Sequence, residues 1–299
     1  MVRALIIHEQ EEHMIIDFHI HPFCKEATVL PSPEEALNRM YGDEEARFAP
    51  LMSAFRWIFQ EKTLDQIIQD MDQSGINKAV IVAADYSTAY GTTVVTNEDV
   101  ARMSKLHPDR FIPFCSVDPS MGRIAIDRLE IAVKEQGARG VKLVPPMQGF
   151  RFDDPRHDRL WEKADELDII VWTHAAHQRS TPGTDARLGQ PFLVEPVALK
   201  FPRLKIVLGH CGFPWVWESW SMAARHENVY VDISAFKDLY GDFPWHAYSS
   251  ADIEHKLLFA TDNPLANFSE CVEAVKELPI RAEFKDSIFG ANAQKLLGL

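Results

Sequence analysis

The sequence predicts an α/β protein that folds as a (β/α)8 TIM barrel. Three observations lead to this prediction: eight short apolar runs, amphipathic segments between them, and a length of 299 residues. The apolar runs are rich in Ile, Val and Leu and do not alternate with polar residues, which is typical of parallel strands buried on both faces. Eight strand–helix units in a chain of about 300 residues fit a closed barrel of this kind.

The predicted strands are all short apolar runs and comprise Met14–His21, Asn77–Ala84, Arg110–Val117, Ala138–Val144, Ile169–His174, Leu204–His210, Val229–Ser234 and Leu257–Asp262. The predicted helices show apolar residues at three- and four-residue spacing and comprise Leu64–Ser74, Asn97–Leu106, Arg123–Gln136, Asp158–Leu167, Phe192–Phe201, Trp215–His226 and Ser269–Leu278. Thr63 and Thr96 stand at N-cap positions. A doubly wound sheet is the alternative, but the turn after the first strand lacks the glycines of a phosphate-binding loop.

The chain is predicted to form a single domain over residues 1–299, with a helical insertion at about residues 22–62. The insertion separates the first strand from its helix and carries a helical stretch of its own, Glu44–Gln60. A shorter polar loop, Ala175–Gln190, follows the fifth strand. In a TIM barrel both segments lie at the carboxyl ends of the strands, where active sites are built.

The composition excludes several classes of protein. The formal net charge of −13 argues against nucleic acid as a partner, because phosphate binding depends on Lys and Arg. Apolar stretches such as Ala79–Ala84 are too short to span a membrane. Four widely spaced cysteines without a CxxC pair indicate a reduced, cytoplasmic environment. We therefore expect a cytoplasmic protein that acts on a small molecule, and a homodimer stays open as its assembled state.

Titratable side chains stand at the carboxyl ends of four predicted strands. His19 and His21 end the first strand, His174 the fifth, His210 the sixth and Asp262 the eighth. In a closed barrel these ends face the same mouth. Imidazole and carboxylate groups are ligands of Zn²⁺, and further ligands shift the preference toward five-coordinate zinc, Mn²⁺ or Fe²⁺. The sequence thus predicts one divalent metal ion, with Zn²⁺ as the first choice and Mn²⁺ as the alternative.

Other side chains are predicted to line the mouth and bind the substrate. Phe23 and Trp57 supply aromatic area, Lys142 and Arg179 supply positive charge, and His177 lies on the loop after the fifth strand. Lys142 is interpreted as a residue that positions a substrate anion or pairs with an acidic side chain. A cationic and aromatic mouth suits a small anionic, aromatic substrate.

The chain resembles the amidohydrolase superfamily, and within it the branch of aminocarboxymuconate-semialdehyde decarboxylase, resorcylate decarboxylase and related metal-dependent hydrolases. The matching stretches follow one another along nearly the whole chain and are Ile16-Asp-Phe-His-Ile-His21, Gly140-Val-Lys-Leu143, Val171-Trp-Thr-His174, Lys205-Ile-Val-Leu-Gly-His-Cys-Gly212, Asn228-Val-Tyr-Val-Asp-Ile-Ser234, Leu257-Leu-Phe-Ala-Thr-Asp-Asn-Pro264 and Phe289-Gly-Ala-Asn-Ala-Gln-Lys-Leu-Leu297.

This resemblance implies that His19, His21, His174 and Asp262 are the metal ligands and that His210 is a second-sphere or catalytic histidine. For Lys142 it adds an alternative from other branches of the superfamily, a carbamylated lysine that bridges two metal ions. Two reactions can use these residues. In hydrolysis, which we favour from the sequence, a metal-activated water attacks the substrate, Asp262 transfers protons and His210 stabilises the charge on the carbonyl. In non-oxidative decarboxylation, the alternative, the metal chelates the substrate carboxylate, Asp262 or His210 protonates the ring carbon, and CO2 leaves.

Overall fold

Eight parallel strands form one sheet in the computed structural model, and neighbours in the sheet are neighbours along the chain. The structure describes residues 14–42, 45–178, 181 and 183–299. The strands are β1 (Ile15–Ile20), β2 (Ile76–Val82), β3 (Phe111–Ser116), β4 (Gly140–Leu143), β5 (Ile170–His174), β6 (Lys205–Gly209), β7 (Val229–Asp232) and β8 (Leu257–Leu258).

Backbone hydrogen bonds join the first strand to the chain at and after β8. The amide of Phe18 donates to the carbonyl oxygen of Phe259 at 2.8 Å. Beyond it, the amide of Asp262 donates to the carbonyl oxygen of His19 at 2.9 Å. These bonds close the sheet, and the predicted TIM barrel is confirmed. The last strand is shorter than predicted because residues 259–262 are held to β1 by single bonds rather than by a regular ladder.

Helices separate successive strands and pack on the outside of the barrel, and the main ones are Leu64–Gln73, Asn97–Leu106, Arg123–Lys134, Asp158–Glu166, Glu195–Lys200, Val216–Arg225, Trp245–Ser250 and Phe268–Lys276. Short helices Ser87–Tyr90 and Pro145–Gln148 lie in loops, and Ala282–Asp286 and Asn292–Leu297 end the chain. Among the described residues, no helix combines the length and the apolar character needed to cross a bilayer.

Most predicted helix boundaries agree with the structure to within two residues. Thr63 and Thr96 both form capping boxes, in which the threonine side chain and the third helical residue exchange hydrogen bonds. The predicted helix Phe192–Phe201 is wrong in its first three residues. A 3-10 turn covers Pro191–Val194, and the helix begins only at Glu195. Pro196 has no amide hydrogen to donate and is therefore confined to the first turn of a helix.

Two apolar clusters fill the fold. An inner cluster joins side chains of the barrel strands to the C-terminal helix, and an outer cluster packs the strands against the surrounding helices. Phe18 belongs to the inner cluster but Ile20, two residues on, belongs to the outer one, and the pairing register shifts between Asp17 and Ile20. This irregularity turns His19 into the barrel mouth, where its ring lies 4.2 Å from that of Trp172.

The segment after β1 covers the barrel mouth. It contains the helices Pro33–Tyr41 and Glu45–Glu61, and its strand Val29–Leu30 pairs with Thr92–Val94, which in turn pairs with Ala84–Tyr86 in a small antiparallel sheet. The predicted helix at Glu44–Gln60 is observed with nearly the same bounds. The small sheet was not predicted, because strands of two or three residues are too short to show a period.

Asp99 ties this covering segment to the helix Asn97–Leu106. Its carboxylate accepts hydrogen bonds from the Thr28 amide at 2.8 Å and from Arg102 Nη2 at 2.9 Å, and it also caps its own helix through Thr96. Burial raises the pKa of Asp99, but the hydrogen bonds from Arg102, Thr28 and Thr96 outweigh this effect and hold the pKa below its usual value. The ionised carboxylate therefore stabilises the folded state.

We expect Asp99→Asn to lower the free energy of unfolding at pH 7 by about 1–3 kcal/mol, because charge-assisted hydrogen bonds are lost. A lowered carboxyl pKa stabilises the fold above the unfolded-state pKa, near 3.9, and the effect is lost as the pH falls through the folded-state pKa. The difference between the wild type and the variant should thus be constant above about pH 5 and should shrink below pH 4. Urea denaturation at several pH values measures it, with the exposed Asp109→Asn as the control. A difference that grows on acidification would contradict this account.

Candidate metal centre and substrate cavity

Three of the four predicted metal ligands converge at the barrel mouth. Nε2 of His21 lies 3.2 Å from Oδ1 of Asp262, and Nε2 of His19 lies 3.6 Å from the same oxygen. One donor atom from each residue lies within 4.8 Å of the others. All three side chains are buried. The backbone bond between Asp262 and His19 is what places the end of the barrel next to its beginning.

His174, the fourth predicted ligand, lies outside this close group but lines the same cavity. Its Nε2 is buried and has no hydrogen-bond partner among the described residues. Its ring centroid lies 4.6 Å from that of His210, which lines the cavity as well. Burial, with the charge of Lys142 as a smaller cause, lowers the pKa of His174 to about 3, so its imidazole is neutral and can act as a ligand. Its role as a ligand stays a prediction.

Lys142 lies inside the cluster rather than at its edge. Its Nζ is 2.7 Å from Nε2 of His19 and 3.0 Å from Nε2 of His21. Burial lowers the pKa of Lys142 to about 7, while the charge of Asp262 partly opposes that shift. A metal ion would use the same two nitrogen lone pairs, so metal binding and these hydrogen bonds are alternatives. A lysine whose pKa lies near neutrality can lose its proton at little cost in free energy, and the neutral amine does not repel a metal ion.

The backbone at two of the strand ends is strained. His210 has a φ of 62° and Asp262 a φ of 66°, both in the left-handed region that favours glycine. Such conformations cost about 1–3 kcal/mol each and persist at sites where the surrounding structure holds them in place. At Asp262 the backbone is held by its bond to His19 and, through the neighbouring Thr261, by a hydrogen bond of 2.6 Å from the Thr261 hydroxyl to Asp17.

The donor set fits a divalent metal ion. Oδ1 of Asp262 and Nε2 of His174 are buried without hydrogen-bond partners among the described residues, which is costly unless something else satisfies them. Together with Nε2 of His19 and His21 they offer three neutral nitrogens and one carboxylate oxygen. This mixture of imidazole and carboxylate suits zinc and manganese alike.

A cavity of about 210 Å³ opens above the cluster. Its base is polar and contains the histidines, Lys142 and Asp262. Its walls are apolar and are formed mainly by Phe23, Val29, Leu37, Met40, Phe55, Phe59, Val144, Met147, Phe236 and Leu265. The two helices of the covering segment supply four of these side chains, so that segment shapes the space a substrate can fill.

The predicted substrate-binding residues have different outcomes. Phe23 and His177 line the cavity, whereas Arg179 lies outside the described residues. Trp57 is 55% exposed and is not part of the cavity lining, so its interpretation as a substrate contact is corrected. Phe55 and Phe59 face the cavity from the same helix, and a residue two positions after Phe55 points away from it. Among the described lining residues, Lys142 is the only lysine or arginine, so this part of the mouth is apolar rather than cationic.

Two residues that contact His210 were not predicted. The Ser234 hydroxyl lies 2.8 Å from Nδ1 of His210, and the carboxylate of Asp232 accepts a hydrogen bond of 2.9 Å from the His210 amide. Both are fully buried. The signal that could have found Asp232 is a carboxylate at the end of an otherwise apolar strand, the same signal that identified Asp262, and Ser234 follows two residues later.

Comparison with known proteins agrees with this geometry. A family profile described as amidohydrolase matches residues 16–299. The chain is 25% identical over 293 residues to γ-resorcylate decarboxylase from Polaromonas sp., an alignment that covers 79% of this chain and 87% of that protein.

Solved structures share the fold over nearly the whole chain. An uncharacterised TIM-barrel protein from Bordetella bronchiseptica matches with a TM-score of 0.74 and 25% identity, covering 95% of this chain and 98% of that one. Dihydroxybenzoic acid decarboxylase from Polaromonas sp., solved with manganese and the inhibitor 2-nitroresorcinol, matches with a TM-score of 0.68 and 21% identity, covering 96% and 97%. With the family profile extending from β1 to the last residue, the chain belongs to the amidohydrolase family, in the branch that includes γ-resorcylate decarboxylase.

Proposed function

We propose that this chain is a metal-dependent decarboxylase of a hydroxylated aromatic carboxylic acid. The observation that carries the proposal is a buried His–His–Asp cluster at the base of a cavity with aromatic and aliphatic walls. Such a cavity suits a flat, mostly apolar ring whose polar groups meet the cluster. One of the relatives that align over most of the chain is named γ-resorcylate decarboxylase.

This proposal replaces the preference for hydrolysis that the sequence suggested. The same side chains serve both reactions, so the residues at the strand ends did not separate them. Most of the relatives favour decarboxylation: three are named γ-resorcylate decarboxylase and a fourth is named a decarboxylase, whereas a dihydroorotase aligns with only 48% of this chain. The apolar walls support it too, since they offer an aromatic ring more contact than they offer a polar amide or ester.

His19, His21, His174 and Asp262 would hold the metal ion. When bound, it would supply a positive charge that stabilises a negatively charged substrate at the base of the cavity. Asp262, whose pKa burial raises to about 7, takes up a proton from solvent and delivers it to the ring carbon that carries the carboxylate. The bond between that carbon and the carboxylate then breaks, CO2 leaves, and the electrons of the broken bond restore the aromatic ring. His210 accepts a hydrogen bond from the ring hydroxyl, which raises the electron density at the carbon that receives the proton.

Metal analysis of purified protein should give about one Zn²⁺ or Mn²⁺ per chain. The double variant His19→Ala/His21→Ala should lose the metal and keep its circular dichroism spectrum, because the apolar clusters do not depend on these rings. The matched control is His246→Ala/His255→Ala, which removes two exposed histidines. Two tightly bound metal ions per chain, together with a modified Lys142, would contradict a single-metal site.

The reaction itself is tested with hydroxybenzoates in D2O and with small lactones and amides in H2¹⁸O. Decarboxylation should release CO2 and place deuterium on the ring carbon that lost the carboxylate. Hydrolysis would instead place ¹⁸O in a product carboxylate. Label in an acid product without CO2 release would show that the chain is a hydrolase.

The apolar walls also predict which substituents the ring can carry. A second hydroxyl that faces Met40 and Phe55 would lose its hydrogen bonds to water, at a cost of about 1–3 kcal/mol. We expect the enzyme to bind 2-hydroxy-4-methylbenzoate about tenfold more tightly than 2,4-dihydroxybenzoate, which is measured as a lower KM for the methyl compound. Met40→Gln should reduce this difference, whereas the exposed control Leu106→Gln should leave it unchanged. Tighter binding of the dihydroxy compound by the wild type would contradict the assignment.

A further inference from the structure

A chain of hydrogen bonds behind His210 is not explained by metal binding. The carboxylate of Asp232, at the end of β7, is completely buried and lies next to the ring of Trp172 on β5. From Asp232 the chain continues to the Ser234 hydroxyl at 2.6 Å and then to Nδ1 of His210 at 2.8 Å. The rings of Trp172 and His210 are 5.3 Å apart, so the four residues form one compact group.

Asp232 has only donors around it. Its Oδ1 accepts hydrogen bonds from the amides of His210 and Ser234, at 2.9 and 3.0 Å, and from the Ser234 hydroxyl. Its Oδ2 accepts a hydrogen bond from the indole nitrogen of Trp172. Burial raises the pKa of Asp232, and these hydrogen bonds oppose that shift. Oδ1 already accepts two amide N–H groups, so a carboxyl proton there would displace one of them, and the contact of Oδ2 is an indole N–H, which can only donate. Asp232 is therefore the ionised acceptor of the group.

The proton of the Ser234 hydroxyl is therefore directed to Asp232. An oxygen–oxygen distance of 2.6 Å to a carboxylate requires that proton to lie between the two atoms. The hydroxyl oxygen then has only lone pairs to offer to His210. For a hydrogen bond to form over the 2.8 Å between Ser234 Oγ and His210 Nδ1, the proton must be on Nδ1. Among the described residues, Asp262 has the one carboxylate within 4.0 Å of a ring nitrogen of His210, and its Oδ2 faces Nδ1 rather than Nε2. A second proton on Nε2 would therefore be a buried charge without an anionic partner, so the imidazole carries one proton only.

We propose that Asp232 and Ser234 are positioning residues that fix His210 in the tautomer with its proton on Nδ1. Nε2 is then the one ring nitrogen free to accept a hydrogen bond in the cavity. Such an acceptor recognises a hydroxyl on the substrate ring and is unsuited to a bare carboxylate or carbonyl oxygen, which has no proton to give. The identity of this hydroxyl as that of a hydroxybenzoate rests on the proposed function, but the tautomer does not.

The packing of Trp172 against Gly209 also supports this arrangement. The ring of Trp172 packs directly against Gly209, where a Cβ atom would overlap it. The absence of a side chain at Gly209 lets the indole reach Asp232, and the strained backbone at His210 follows immediately. Asp232 thus holds both the backbone of His210 and, through Ser234, its ring. The hydrogen bond from Ser234 to His210 involves the ring and not the backbone, so a change at Ser234 tests the positioning of the ring separately.

The tautomer is tested by nitrogen NMR of the zinc-loaded protein labelled with ¹⁵N-histidine, with His210→Gln used to assign the signals. The wild type should show a protonated Nδ1 and an unprotonated Nε2 at His210. Ser234→Ala should lose this fixed pattern, whereas Ser234→Thr, which keeps the hydroxyl, should retain it. Ser219→Ala is the control, since Ser219 is buried and its hydroxyl has no hydrogen-bond partner among the described residues.

The effect of Ser234 on catalysis is tested by measuring kcat and KM with 2-hydroxybenzoates. Ser234→Ala should lower kcat about 10- to 100-fold, as loss of a residue that orients a catalytic group commonly does, with metal content unchanged and KM within about twofold. Ser234→Thr should restore most of kcat. An unprotonated Nδ1 in the wild type, or a tautomer that Ser234→Ala leaves unchanged, would overturn the proposal. A fixed tautomer in an enzyme that turns over no hydroxybenzoate would instead overturn the proposed function and leave the positioning role standing.

Discussion

The hydrogen bond from the Asp262 amide to the His19 carbonyl is the contact on which the site depends. It belongs to the closure of the barrel, where residues from the two ends of the chain become neighbours. Without closure, the histidines of β1 and the carboxylate after β8 would lie at opposite edges of an open sheet. The geometry of the cluster therefore follows from the topology of the sheet, and the local irregularity between Asp17 and Ile20 only completes it by turning His19 inward.

The cluster concentrates ionisable groups in a place with little water. Burial raises the pKa of Asp262 and lowers the pKa of Lys142, each to about 7, and it lowers the pKa values of the surrounding histidines. Burial thus moves each group toward its neutral form, because the low-dielectric interior disfavours charge. Neutral imidazoles beside one carboxylate are well suited to bind a positive ion, because few protons have to leave the cluster before the ion binds.

Much of the barrel could be predicted from the sequence because parallel strands and amphipathic helices have strong periodic signatures. The candidate site could be predicted because polar residues such as His174 and Asp262 interrupt apolar runs at strand ends. Local patterns gave no guide to long-range packing. Ser234 became significant only once β6 and β7 were adjacent, and Trp57 could be separated from Phe55 only once the orientation of their helix was known. Hydrolysis and decarboxylation use the same side chains, so the residues alone could not separate them.

The polar groups of the site and the walls of its cavity come from two different parts of the chain, the barrel and its covering segment. The chemical groups are supplied by strand ends, which are fixed by the closed sheet. The cavity walls come largely from helices Pro33–Tyr41 and Glu45–Glu61, which are inserted between β1 and the first outer helix. An insertion can change in length and side chains without disturbing the hydrogen-bonded sheet beneath it. In this architecture, selectivity for new substrates can therefore evolve by substitutions in the insertion, while the polar groups at the strand ends are inherited unchanged.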